Sequence, residues 1–175
     1  MDTQFPRYEV FLQEKPGDQH RDVGSVHAPD AEMALQNARD VFVRRPECQS
    51  LWVVPARAIY SKTQHEIAGI SWQSEGKDGE EYQLFSVFNK LTQTGAPTFV
   101  SEIRAPGASA ALKQALSQYS RDNVALVWWV IPTEQITKSS ADSSDSWFSP
   151  ARDKKFRMST EYRVLTQIRK LRDKA

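Results

Sequence analysis

A dinuclear metal centre built on helices needs Glu-x-x-His or His-x-x-x-His, because those spacings turn a carboxylate and an imidazole toward one ion. Neither spacing occurs in this chain. Its three histidines, His20, His27 and His65, fall in a turn, a strand and a linker, where each reads as an exposed or locally bonded side chain. The single cysteine, Cys48, has no partner for an internal disulfide, and one thiolate is too few for a structural zinc site. It follows a helix end, where the dipole disfavours a thiolate, so it reads as a structural thiol and not a nucleophile. Gly-x-Gly-x-x-Gly, the Walker loop and the Gly-x-Ser-x-Gly elbow are missing, so the phosphate-cradling and acyl-transfer templates fail.

What is left is the chemistry of association. Trp52 and Trp129 each precede two β-branched residues and a proline. They could wall a ligand, but large aromatics beside Val and Ile usually fill the space under a helix, and the pair is read that way. Residues 147–162, WFSPARDKKFRMSTEY, mix aromatic and basic side chains. Residues 151–175 hold nine Lys or Arg against three Asp or Glu, a net of +6; the whole chain is +1, so the first 150 residues carry −5. A nucleic-acid surface would need aromatic platforms on a sheet and a basic body, and neither is present. The tail suits an acidic protein surface better, with Trp147, Phe148, Phe156 and Tyr162 as anchors and Arg152, Lys154, Lys155 and Arg157 as rim charges.

The elements that must position these residues are short and well punctuated. In residues 8–13, YEVFLQ, Tyr8, Val10 and Leu12 alternate with Glu9, Phe11 and Gln13, as on a half-buried strand. Lys15-Pro16-Gly17-Asp18 is turn chemistry, because Pro presets φ and Gly accepts a positive one, and it predicts a hairpin into a strand over residues 23–28. Asp30 can cap a helix whose apolar stripe is Ala34, Leu35, Ala38, Val41 and Phe42, with Arg44 and Arg45 in its last turn and Pro46 ending it. Leu51-Trp52-Val53-Val54 reads as a strand buried on both faces and closed by Pro55. Residues 73–81, QSEGKDGEE, are a polar, Gly-interrupted linker.

After the linker the pattern restarts, with strands over 82–88 and 99–105, a helix over 107–120 and a buried strand over 124–131. An offset of 77 pairs Ala34 with Ala111, Leu35 with Leu112, Ala38 with Ala115, Trp52 with Trp129, Pro55 with Pro132 and Ile59 with Ile136. The first strands match best at 74, Tyr8 with Tyr82 and Phe11 with Phe85, which implies three extra residues in the second hairpin. The chain is therefore read as α+β: a first β-β-α-β unit over 1–72, a linker over 73–81, a second, divergent unit over 82–138, and a terminal region over 139–175. That region comprises a low-complexity linker, the basic aromatic tail and a short amphipathic helix over Val164, Leu165, Ile168 and Leu171.

Three stretches carry a family resemblance. VGSVHAPDAEMALQNARDVFVRR followed by SLWVVP, the opening YEVFLQEKPGDQH and the tail FSPARDKKFR resemble the B subunit of the bacterial phenylacetyl-CoA epoxidase, a multicomponent ring monooxygenase of phenylacetate degradation. The resemblance implies a small non-catalytic α+β protein that bridges a catalytic and a structural helical subunit and helps a reductase dock. It places the dinuclear iron in the catalytic partner and no cofactor in this chain. Members of that family carry a single unit of about half this length; the second unit here is expected to take the place of a homodimer's symmetry mate, with loss of the family's partner surface from that unit as the alternative. Gly107 stands where the first unit has its capping Asp30.

Neither a basic leader nor an apolar run of signal or membrane-span length occurs, so a cytoplasmic protein without nucleic-acid or membrane partners is expected. A homo-oligomer of such chains is compatible with this reading. A tandem small-molecule-binding regulatory protein, with its ligand at the junction of the units, is the alternative.

Overall fold

Two hairpins with connections of equal length open the two halves of the chain. β1 (Arg7–Gln13) pairs antiparallel with β2 (Arg21–His27), and β5 (Gln83–Lys90) pairs in the same way with β6 (Thr98–Ala105). Each hairpin leads through a twelve-residue helix, α1 (Ala31–Phe42) or α3 (Ala108–Tyr119), into a buried strand, β3 (Ser50–Pro55) or β7 (Val127–Pro132). In a computed structural model of the chain, the residues described are 5–44, 48–70, 72, 81–119, 125–140 and 144–153. Arg45, Pro46, most of the linker and everything from Lys154 onward lie outside them.

Local chemistry accounts for these elements. Asp30 caps α1 by accepting a hydrogen bond from the Met33 amide at 2.8 Å. The helix stops at Phe42, earlier than Arg44 and Pro46 suggest, because Val43 turns extended and buries itself in the core. In the first hairpin the Asp18 amide bonds the Lys15 carbonyl at 3.1 Å, and Gly17 takes φ +85° at the position that favours glycine. In the second hairpin Gly95 closes the equivalent turn on Thr92.

The structure corrects the register of the first strands. Elements β1 to β3 and β5 to β7 correspond at 77 throughout: both hairpins shift register between equivalent residues, Val10/Phe11 and Val87/Phe88, and the connections between their strands have one length. There is no insertion in the second hairpin. An odd shift such as the three-residue difference between 77 and 74 exchanges the faces of a strand, which would put Phe11 in the role of Phe85. Phe85 lies under α3, whereas Phe11 faces away from α1, so the aromatic match at 74 was coincidental.

Each unit then hands its last strand to the other. Pro55 (φ −57°, ψ 125°) and a 3-10 turn at Ala56–Ala58 carry the chain to β4 (Tyr60–Thr63), which pairs with β7 of the second unit. Pro132 (φ −56°, ψ 123°) and a 3-10 turn at Thr133–Gln135 carry it back to β8 (Thr137–Lys138), which pairs with β3 of the first. The eight strands form one sheet in the order β4-β7-β5-β6-β2-β1-β3-β8, which reads the same from either end once equivalent strands are exchanged. The pseudo-two-fold axis passes between β6 and β2, joined by the Arg21–Thr98 pair and by bonds from the Asp22 amide to the Pro97 carbonyl and from the Phe99 amide to the His20 carbonyl. This is a pseudo-dimer within one chain.

The buried side chains divide into three clusters. Tyr8, Val10, Leu12, Leu51 and Val53 lie beneath Ala34, Leu35 and Ala38 of α1; Phe85, Val87, Trp128 and Val130 lie beneath Ala111, Leu112 and Ala115 of α3. The third cluster fills the junction of the units with Phe11, Trp52, Val54, Phe88, Ile131 and Ile136. Trp52 and Trp129 both belong there, on the face turned away from the helices; Trp128 is the tryptophan under a helix.

Candidate partner-binding surface

The predicted docking arm begins as part of the core. α4 (Ser144–Phe148) and a 3-10 turn at Ser149–Asp153 bring Phe148 and Ala151 into the cluster under α1, where Phe148 is 1% exposed. Trp147 packs on the same cluster, with the Arg39 guanidinium 5.1 Å from its ring centroid. Phe148 is thus used inside the chain and Trp147 is half covered, while Arg152 is exposed. Lys154, Lys155, Phe156, Arg157 and Tyr162 lie outside the described residues. The other exchanged arm does the same for the second unit: beyond β4, a capping box of Thr63 and Glu66 starts α2 (Gln64–Ala68), and Ile67 and Trp72 pack against the α3 cluster.

His20 is not the exposed histidine its turn position suggested. It is 8% exposed and stacks on Trp52 with ring centroids 3.5 Å apart and planes 17° from parallel. Lys138 of β8 places its ammonium 4.5 Å from the centroid of the same indole and 4.0 Å from Glu102. Among the described residues His20 Nε2 has no hydrogen-bond partner, and burial, then the Lys138 charge, depress its pKa to about 4. Nearby, burial pushes the carboxyls of Glu9 and Asp22 up, opposed at Glu9 by Arg7 and at Asp22 by the Gly24 amide. His27 Nδ1 lies 2.7 Å from the Phe5 carbonyl, and His65 lies on α2. No three His, Cys, Asp or Glu side chains come together around a possible metal position among the described residues, so the donors described do not compose an iron site.

The first unit also carries a cleft of about 750 Å³ at the turn end of its hairpin, where α1 ends. Leu12, Phe42 and Cys48 form its apolar floor; Lys15, Arg21 and Arg44 surround it with Glu14, which pairs with Arg21 at 2.7 Å. Phe42 reaches the floor because Gly24 has no Cβ: one built there would lie 3.0 Å from the ring, and the residue's φ is +130°. Sequence reasoning missed this cleft, because its residues come from three separate segments.

The phenylacetic acid degradation B family matches the chain in two segments, residues 4–78 and 81–169, whose starting points are 77 residues apart. The B subunit of 1,2-phenylacetyl-CoA epoxidase from Escherichia coli (strain K12) is 52% identical over 62 residues. That match covers 35% of this chain and 65% of the relative, so the relative is little more than half as long. No solved structure matches. Matched over well beyond half of its residues and built as two copies of one unit, the chain belongs to the phenylacetic acid degradation B family.

Proposed function

We propose that this chain is the non-catalytic bridging subunit of a multicomponent dinuclear-iron oxygenase that acts on phenylacetyl-CoA in the cytoplasm. Its role is to assemble the catalytic and structural helical subunits and to help the reductase dock. The observation that carries this reading is the internal pseudo-two-fold: reciprocal strand exchange holds two like units in a fixed relation, as a bridge between paired partners requires. The similarity to the B subunit of an epoxidase supports the identity of the complex. The dinuclear iron is assigned to the catalytic partner, and the chain itself is read as holding no cofactor.

The terminal arm keeps a role in docking, shifted toward its far end. Phe148 and Trp147 anchor its start to the first unit, leaving Arg152 and the basic residues after it for the partner. A ligand held between the units is less well supported, since Phe11, Val54, Phe88 and Ile131 fill the junction with no exposed surface. Co-expression with the iron-containing subunit and purification through a tag on this chain should recover both. Failure to form any complex at micromolar concentrations would refute the reading.

A further inference from the structure

The duplication supplies an internal control for every surface position, the residue 77 places away. Core positions keep their character across it: Val10 and Val87, Phe11 and Phe88, Leu35 and Leu112, Val53 and Val130. The cleft at the end of α1 does not. Lys15 and Arg21 correspond to Thr92 and Thr98, Leu12 to Asn89, and Glu14 to Leu91, which is 44% exposed. Gly24, which lets Phe42 fold onto β2, corresponds to Ser101, and the counterpart of Phe42, Tyr119, is 39% exposed. Only Arg44 keeps a cationic counterpart, Arg121, in a segment outside the described residues.

Two physical features then point to an occupant. Among the described residues Lys15 and Arg44 are exposed and have no acidic partner, whereas Arg21 is held by Glu14. Three cations, Lys15, Arg21 and Arg44, against one acid, Glu14, give the lining around the apolar floor a net positive charge. An apolar side chain seated on Leu12 and Phe42, with carboxylates beside it facing Lys15 and Arg44, would complement both the floor and the rim.

We infer that this one-sided cleft receives an acidic segment of a helical oxygenase subunit, with an apolar residue between its carboxylates. The first unit therefore holds a partner surface that the second has lost. The inference rests on the bridging function proposed above. It also makes the pseudo-dimer functionally asymmetric, with one such partner contact per chain.

The test compares Lys15→Glu/Arg44→Glu with Thr92→Glu/Arg121→Glu, the residues 77 places on in sequence, in full chains co-expressed with the iron-containing subunit. Circular dichroism and melting first establish that both variants fold as the parent does. The first variant should weaken the complex at least tenfold and flatten its salt dependence, while the second should stay within about twofold of the parent. Equal losses in both variants, or none in the first, would overturn the one-sided cleft while leaving the bridging function intact. Failure of the parent chain itself to form the complex would overturn the bridging function and this inference with it. A thermal shift with phenylacetyl-CoA alone, abolished by Lys15→Glu/Arg44→Glu, would reassign the cleft to a small organic anion; no shift is expected.

Discussion

Replacing His20 with Phe should change the pH dependence of stability by a calculable amount. The phenyl ring can keep the stack on Trp52 while removing both the titrating group and the unpartnered Nε2. In the folded chain the imidazole pKa falls from 6.5 to about 4, so between those values the unfolded chain binds a proton that the folded chain does not. The contribution of His20 is complete above pH 6.5 and is lost as pH falls toward 4. Linkage gives a loss of about 1.4 kcal/mol by pH 5.5 and about 3 kcal/mol by pH 4. The raised carboxyls of Glu9 and Asp22 act in the opposite sense, stabilising as pH falls, but they are present in both proteins and cancel in the difference. Urea unfolding of parent and His20→Phe at four pH values from 7.5 to 4.5 provides that difference. The gap between the two free energies should move in favour of the variant as pH drops, by roughly 2 to 3 kcal/mol over this range. Parallel curves would refute the argument, because they would mean that the His20 imidazole is solvated or paired in the folded chain.

Three further outcomes follow from the packing. Gly24→Ala combines a strained φ with a contact of 3.0 Å on the Phe42 ring, and should cost about 1 to 3 kcal/mol in denaturant unfolding, with a smaller effect for Ser101→Ala. Phe148→Ala empties a fully buried site and should cost about 3 to 5 kcal/mol in the isolated chain; a merely partner-facing anchor would leave that stability almost unchanged. Gly107→Asp should stabilise α3 by a few tenths of a kcal/mol, read as a rise in thermal midpoint, since no atom lies within 4 Å of the added Cβ and Asp30 shows the same cap at work in α1.

The local chemistry of both units was legible because it depends on near neighbours. Asp30 capping α1, Gly17 in its turn, and the division of Tyr8, Val10 and Leu12 from Phe11 between two faces each follow from a few adjacent residues and hold in the structure, although the face of Phe11 is buried too, covered by the junction of the units. Errors arose where a side chain's environment is supplied from afar. His20 sits in a polar turn, so its sequence suggested exposure, yet Trp52 and Lys138 cover it from elements more than thirty residues away. Trp52 and Trp129 looked like residues under a helix because each adjoins branched residues, and only the strand faces assign them to the junction. Ser139 begins a low-complexity stretch, but its amide and hydroxyl both bond to Leu51, which extends the pairing of the second exchanged arm.

By itself the sequence determined the unit, its duplication and its kinship, since a repeat offset, caps, turns and alternating strands are properties of the chain read in order. Tertiary structure decided how the two copies are joined. Nothing in Tyr60–Thr63 or Thr137–Lys138 states which edge of the sheet it will complete, because any strand offers the same backbone donors and acceptors to whichever edge it reaches. The two prolines and their 3-10 turns aim each arm across the axis, and burial of the aromatic junction holds it there. The same exchange brings Phe148 under α1 and makes the start of the expected solvent arm part of the core.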